Sequence, residues 1–396
     1  MEILEILFAV GILLVSARLL GIVFKKIKQP SLGGELLAGI ILGPTLIGIV
    51  HPNEMLDLLS TVSIFFVMLF IGIEMNLREI KNSGKSGFVI SILSLIIPFF
   101  TGYVLSVFFG LNLSESLFIG LLLSVTSVPV SAIILRELGI LKTKIGTTVM
   151  SVAIIDDIIS LIILAFILQL HLSDGMQFAY YEIGESVVQI VAYLLGIVAI
   201  TFVVYKANRW LPSKLKEFNK FKSKEILFII FISVAIVLSI IADLAGLHFI
   251  IGTFFAGLIF SEKLLPKREE SKVFKTMTKI TFGIFAPLFF AIVGMKFSAQ
   301  SLEDHIPFLI LLVILGIIGK TFGGYVGTRI FHFPKKQGLA ISTLLNGRGT
   351  VGLAITALAY SVGVLDLALF SICVAICFIT TIITPIIARP LLRSMN

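Results

Sequence analysis

The stretch LLSVTSVPVS, Leu122 to Ser131, lies inside a long apolar run and has a proline near its centre. Pro129 lacks a backbone N–H and therefore weakens a helix when it lies in the middle of one. Roughly 220 residues further on, the stretch TLLNGRGTVG, Thr343 to Gly352, places glycines on both sides of an arginine in a second apolar run. The two stretches predict broken helices at corresponding positions of a repeated chain, which is typical of a transporter's binding site.

The composition around these stretches is that of a polytopic membrane protein. Of 396 residues, 58% are hydrophobic and 14% are charged, whereas about a quarter of the residues in soluble domains are charged. The first apolar run has no basic segment before it, so we interpret it as a retained helix rather than a cleaved signal peptide. Cys373 and Cys377 lie at helical spacing in one apolar run and are interpreted as packing residues.

Membrane-spanning helices can be counted from the apolar runs, since a span needs about 20 apolar residues. This rule predicts an all-α protein with thirteen spans, at about residues 3–24, 32–50, 56–76, 88–110, 115–138, 147–171, 183–205, 225–242, 246–262, 273–297, 306–330, 337–361 and 364–390.

Lysine and arginine residues alternate between successive connections of these spans. They collect after every odd-numbered span, and Lys296 is an exception at the opposite side. The positive-inside rule then places the N-terminus outside and the C-terminus in the cytoplasm of a multi-pass cell-membrane protein. The net charge of +8 is therefore explained by topology, and we expect no nucleic-acid partner.

Two further pairs of segments support a repeat. LLAG at 36–39 resembles FFAG at 254–257, and FIGIEMNL at 70–77 resembles AIVGMKFS at 291–298, again at roughly 220 residues. This offset equals seven spans, an odd number, so the two copies cross the membrane in opposite directions. We therefore expect residues 1–396 to form one transporter unit with an inverted repeat of spans 1–6 and 8–13. The expected segments are the first repeat at 1–190, span 7 with a basic cytoplasmic loop at 183–224, and the second repeat at 225–396.

Ionisable residues converge on one depth of the predicted bundle. At about 1.5 Å per residue, Asp156, Lys320, Ser127 and Arg348 lie about 14–16 Å from the cytoplasmic ends of their spans. A charge at such a depth costs about 2.5–3.5 kcal/mol. A structural ion pair would need one acid, whereas Asp156 and Asp157 are adjacent and point about 100° apart. One aspartate can face Lys320 and the other a water-filled cavity, and this reasoning leaves their order open.

Four segments together resemble the monovalent cation:proton antiporters, in particular the second family of that superfamily. They are TSVPVSAIILRELG at 126–139, GTTVMSVAIIDDIISLIIL at 146–164, GIIGKTFGGYVGTR at 316–329 and NGRGTVGL at 346–353. The resemblance covers essentially the whole chain. It implies the NhaA-type fold, in which each protomer of a homodimer has a dimerisation domain and a core domain with two crossed, broken helices.

The resemblance also implies roles for individual residues. Asp157 matches the essential carboxylate that binds the monovalent cation or a proton, and Asp156 matches the second carboxylate, which pairs with Lys320. Thr126 and Ser127 match the unwound stretch beside the ion. The residues that support the broken helices are Pro129, Gly347, Arg348 and Gly349.

Two features of the sequence bear on the kind of antiporter. Some sodium-selective relatives carry an acidic residue at the position of Thr350, so the cation selectivity stays open. Potassium-efflux relatives usually append a cytoplasmic nucleotide-binding domain, and we expect none here.

The resulting hypothesis is a secondary active sodium (or lithium)/proton antiporter that works by alternating access. The resemblance implies electrogenic exchange of two protons per sodium ion. A potassium/proton antiporter, a sodium-coupled solute symporter and an ion channel are the alternatives. An intramembrane aspartyl protease is disfavoured because adjacent aspartates diverge. We expect no enzymatic activity and no cofactor; the partners are Na⁺ or Li⁺, H⁺, the lipid bilayer and a second copy of the chain.

Overall fold

The computed structural model describes residues 2–75, 77–172, 224–245, 247–261 and 267–393. Within these ranges all regular secondary structure is helical. The α-helices are α1 (Glu2–Lys26), α2 (Ser31–Leu42), α3 (Glu54–Glu74), α4 (Leu77–Phe108), α5 (Leu113–Ser124), α6 (Val128–Glu137), α7 (Lys144–Leu172), α8 (Lys224–Leu244), α9 (Phe249–Ser261), α10 (Lys267–Ile280), α11 (Ala286–Met295), α12 (Ile306–Ile330), α13 (Lys335–Leu344), α14 (Gly349–Ser361) and α15 (Leu367–Arg393). A π-helical turn (Thr281–Phe285) joins α10 to α11, and a 3₁₀ helix (Gln300–His305) precedes α12.

Eight described stretches are long and apolar enough to cross a membrane, and three shorter helices are also apolar. The eight are Ile3–Lys26, Glu54–Glu74, Ser83–Phe108, Leu113–Glu137, Lys144–His171, Phe274–Met295, Gln300–Ile330 and Leu367–Arg393. The prediction of an all-helical polytopic membrane protein is therefore confirmed. The predicted span at 183–205 lies outside the described residues, so the count of thirteen stays a prediction.

The second predicted span, 32–50, is wrong at its C-terminal end, because α2 ends at Leu42. Gly43 is extended, as expected for a residue that precedes proline. A turn follows in which Gly48 has a φ of +70°, a conformation that favours glycine. The apolar residues after Pro44 therefore belong to a turn and not to the helix.

The chain divides into two compact units. The first, here called the site unit, comprises residues 1–60, 78–171 and 287–396, and the second comprises 61–77 and 172–286. Residues 173–223 and 262–266 of the second unit are outside the described ranges. All the ionisable residues singled out at the predicted midplane belong to the site unit.

Each unit contains a close crossing of two helices with a glycine on both of them. In the site unit α2 crosses α11, and a Cβ on Gly39 or Gly294 would overlap backbone of the opposite helix. In the second unit α9 crosses α3, and a Cβ on Gly257 or Gly72 would do the same. At both crossings the backbones approach too closely for any side chain but hydrogen.

Helix α15 is embedded in the site unit. Its two cysteines, Cys373 and Cys377, are free thiols and are fully buried. The Sγ atom of Cys377 lies close to the position that a Cβ on Gly352 would occupy, so α15 packs directly against α14. This agrees with their interpretation as packing residues.

Candidate functional site

Two helix interruptions meet in the site unit. Residues 125–127 separate α5 from α6, and residues 345–348 separate α13 from α14. The backbone N–H of Ser127 donates a hydrogen bond of 2.6 Å to the carbonyl of Gly347. The two interruptions are thus hydrogen-bonded to each other. One end of each of the four half-helices α5, α6, α13 and α14 lies at this contact.

Local sequence explains where the helices break. Pro129 is the second residue of α6, where its missing N–H has no helical partner to lose. On the other interruption, a Cβ on Gly347 would press on Val130, and one on Gly349 would press on the hydroxyl of Ser127. The proline starts one half-helix, and the glycines let the other interruption approach it.

The side chain of Arg348 extends from the second interruption to the C-terminal end of α5. Its guanidinium is fully buried and donates from Nε to the carbonyls of Leu122 at 3.1 Å and Leu123 at 3.2 Å, and from Nη2 to Leu123 at 2.6 Å. Nη1 lies 3.4 Å from the carbonyl of Asn346. The last carbonyls of a helix lack intrahelical donors and carry a negative partial charge, so a cation is favoured there.

Lys320 reaches the same helix end from α12. Its ammonium group donates to the carbonyl of Ser124, the last residue of α5, and lies 3.1 Å from Oδ2 of Asp156. Both side chains of this ion pair are fully buried. The structure therefore brings together the two cations and one of the two aspartates that the sequence placed at one depth.

Asp156 has hydrogen-bond donors on both carboxylate oxygens. Ser91 Oγ donates to Oδ1 at 2.5 Å, and Thr126 Oγ1 donates to Oδ2 at 2.6 Å, beside Lys320. Two hydroxyl donors and the ammonium group of Lys320 thus meet the hydrogen-bonding needs of this buried side chain. Asp156 is thus held as a fully satisfied carboxylate.

Asp157 has the opposite environment. It is fully buried, and neither carboxylate oxygen has a hydrogen-bond partner among the described residues. The buried oxygens of Ser127, Ser160 and Asn346 also lack partners there. A buried carboxylate without donors is stable only when a proton or a bound cation neutralises it. The two adjacent aspartates are therefore chemically unequal.

Sequence reasoning missed several of these contacts. Ser91 was not identified, since a serine within an apolar helix gives no sign of the carboxylate it will meet. Asn346 belongs to a quoted motif but received no role, although its side chain donates to Thr321 Oγ1 at 2.8 Å. Thr126 was expected beside the ion, and its hydroxyl contacts Asp156.

A helical membrane protein with a buried ion pair and an unpartnered carboxylate, where two broken helices meet, has the features of an ion-coupled transporter. Comparison with known sequences agrees with this class. Residues 12–394 match the family of transmembrane sodium/hydrogen exchangers, and the chain belongs to that family. Its members are secondary transporters rather than enzymes.

Individual relatives resemble the chain over most of its length. It is 30% identical to the Na(+)/H(+)-K(+) antiporter GerN of Bacillus cereus, with 96% of this chain and 95% of that protein covered. It is 26% identical to a Na(+)/H(+) antiporter of Enterococcus hirae, with 92% of each chain covered. The solved sodium/proton antiporter MjNhaP1 of Methanocaldococcus jannaschii has the same fold, with a TM-score of 0.73 and 16% identity over 99% of this chain and 98% of that one.

Proposed function

We propose that this protein exchanges Na⁺ or Li⁺ for protons by alternating access, with cation and proton competing for Asp157. The observation that carries the proposal is the contrast between the neighbouring aspartates. Asp156 has three donors, whereas both oxygens of the fully buried Asp157 lack partners within the described residues. Asp157 must be neutralised, and either a proton or a hard monovalent cation can do this.

The coupling follows from single occupancy. A carboxylate that binds a proton loses its attraction for Na⁺, and bound Na⁺ excludes the proton. If the site opens alternately to the two sides of the membrane, each cation carried one way is exchanged for protons carried the other way. Lys320 would keep Asp156 ionised in the empty state and release a proton of its own when the cation arrives, which gives two protons per sodium ion.

An inverted repeat of spans 1–6 and 8–13 is part of the proposal. The helix order supports it, since α1 to α7 are followed by a similar series that starts at Lys224. The glycine crossings support it as well. The segment at 36–39 packs on α11 in one unit, and its counterpart at 254–257 packs on α3 in the other. In the repeat, α11 is the counterpart of α3, so both crossings join equivalent helices.

Topology and assembly complete the proposal. We infer an N-terminus outside, a cytoplasmic C-terminus and a homodimer in the cell membrane. Basic residues support the orientation, because α1 ends with Lys25 and Lys26 and α15 has Arg393 in its last turn.

Potassium/proton exchange is the second candidate. The similarity to GerN, whose name includes both Na(+) and K(+), supports it. The neutral Thr350, at 5% exposure in the second broken helix, is compatible with either cation.

The test is exchange by purified protein in liposomes that contain a pH-sensitive dye. We expect a pulse of Na⁺ or Li⁺ to move protons, and a change in membrane voltage to alter the rate. Asp157→Asn should abolish the response. Asp304→Asn, at an exposed position outside the site, should preserve it. A wild-type response to K⁺ alone would select the second candidate, and full exchange by Asp157→Asn would exclude both mechanisms.

A further inference from the structure

Helix α4 runs close beside α12, the helix that carries the buried lysine of the ion pair. A Cβ on Gly323 would lie 2.2 Å from the carbonyl oxygen of Leu93, and one on Gly327 would lie 2.8 Å from Cα of Ile90. Glycine is the residue that permits such a close approach of two backbones. Ser91 therefore belongs to a stretch of α4 that is held against α12 by backbone contact.

The hydroxyl of Ser91 is directed at another helix. Hydroxyls inside helices often donate to the carbonyl four residues earlier, and those of Ser239 and Thr356 do so at 2.7 Å. Ser91 Oγ instead donates to Oδ1 of Asp156 at 2.5 Å, across 65 residues of sequence. The backbone carbonyl of Ser91 accepts a hydrogen bond of 3.0 Å from Ser94 Oγ, and both serines are fully buried. The Ser91 hydroxyl thus serves the carboxylate rather than its own helix.

The donors of Asp156 are divided between its two carboxylate oxygens. Oδ2 accepts from Thr126 Oγ1 at 2.6 Å and lies 3.1 Å from Nζ of Lys320. Ser91 is the one donor to Oδ1 within the part of the chain that the structure describes. The Cβ–Cγ torsion of an aspartate is broad, so a carboxylate held at a single oxygen can turn. Donors on both oxygens fix the plane of the group.

We propose that Ser91 is a positioning residue for exchange and acts through the orientation of the Asp156 carboxylate. This inference rests on the proposed function, in which Lys320 gives up a proton when the cation arrives and must regain it in each cycle. While Lys320 is neutral, Ser91 and Thr126 still hold one oxygen each, so the carboxylate keeps its plane. The charged lysine then re-forms the pair with the same oxygen.

This role separates turnover from cation binding. Without the Ser91 hydroxyl, Oδ1 of Asp156 is a buried acceptor that has lost its donor, and the carboxylate can turn away from Lys320. The pair then re-forms more slowly, which lowers the maximal rate of exchange. The cation binds at Asp157 in the proposed function, so removal of the hydroxyl leaves the KM for Na⁺ close to that of the wild type.

The experiment measures initial rates of Na⁺-driven proton movement in dye-loaded proteoliposomes, per amount of folded transporter incorporated. Ser91→Ala is expected to lower the maximal rate about tenfold, the equivalent of one hydrogen bond to a charged group, and to keep the KM for Na⁺ within about twofold of wild type. Ser91→Thr keeps the hydroxyl and should retain most of the rate. Ser91→Val has the shape of the Thr variant without the hydroxyl and should be as slow as Ser91→Ala.

The matched control is Ser106→Ala. Ser106 lies on the same helix and is fully buried, and its hydroxyl has no partner among the described residues. Its removal takes away a buried hydroxyl of α4 without touching Asp156. We expect this variant to exchange at the rate of the wild type.

A purely structural role of Ser91 predicts another pattern, because lost packing reduces the amount of folded transporter rather than its rate per molecule. Equal maximal rates for Ser91→Ala and Ser106→Ala, or for the Thr and Val variants, would overturn the positioning role. If Ser91→Val does not fold, Ser91→Cys takes its place, since a thiol is a weak donor of similar size to a hydroxyl, and a rate equal to wild type would then count against the proposal. Absence of cation-driven proton movement in the wild type would instead overturn the proposed function.

Discussion

The buried pair of Asp156 and Lys320 makes the stability of its single variants depend on pH in opposite directions. Lys320→Met leaves the Asp156 carboxylate with two neutral donors, Ser91 and Thr126. Asp156→Asn leaves the Lys320 ammonium group with the carbonyl of Ser124. Each variant therefore buries a charge that has lost its partner, which is strongly destabilising.

The loss of unfolding free energy in each single variant has an upper limit, because the charged group that remains can be neutralised by gaining or losing a proton. At about pH 7.5, protonating an aspartate of ordinary pKa about 3.9 requires about 5 kcal/mol, and deprotonating a lysine of ordinary pKa about 10.4 requires about 4 kcal/mol. Folded Lys320→Met then holds a proton that its unfolded chain releases. Its destabilisation falls by about 1.4 kcal/mol for each unit by which pH decreases. Folded Asp156→Asn holds one proton fewer than its unfolded chain, so its destabilisation falls as pH increases.

The assay is equilibrium unfolding in detergent, followed by circular dichroism at several pH values. The double variant Asp156→Asn/Lys320→Met buries neither charge and should lack both pH slopes. It should also be more stable than the two single changes predict together, by about 0.5–3 kcal/mol. Single variants with pH slopes of the same sign, or strict additivity in the double variant, would refute the assignment of a buried charged pair.

Two further predictions concern the packing around the site. Arg348→Lys keeps the charge but lacks the planar guanidinium that donates to two neighbouring carbonyls at once. We therefore expect a loss of about 1.5–3 kcal/mol in unfolding free energy and slower exchange. Unchanged melting and exchange would contradict the capping role of the guanidinium. Gly39→Ala should destabilise the protein by about 1–3 kcal/mol through overlap with the facing helix. Gly11→Ala, which meets nothing within 4 Å, should not lower the melting temperature. Equal melting of the two glycine variants would show that the crossing tolerates a methyl group.

Sequence alone predicted the features that follow from hydrophobicity and backbone chemistry. Apolar runs of sufficient length identified most described helices, because hydrocarbon requires every backbone group to be bonded internally. Pro129, which lacks a backbone N–H, and the glycines beside Arg348 located both interruptions. Counting residues also placed Lys320 at the depth of the two aspartates, whereas the choice of Asp156 as its partner came from the family resemblance.

Contacts between distant segments were not predictable in this way. Ser91 and Asp156 are 65 residues apart, and their bond depends on how α4 packs against α7. The kink at Gly84 in α4, with a φ of 56° and a ψ of −139°, has no signal in the hydropathy pattern. The end of α2 was misplaced since the residues after Pro44 are apolar although they form a turn.

The buried thiols of α15 have a practical consequence for labelling. Cys373 and Cys377 are the two cysteines of the chain, and water-soluble maleimides cannot reach either thiol in the conformation described here. A cysteine introduced at an exposed position can therefore carry a spectroscopic probe without removal of the native pair. Reaction of the Cys377 thiol during turnover would report a conformation in which the packing between α14 and α15 has opened.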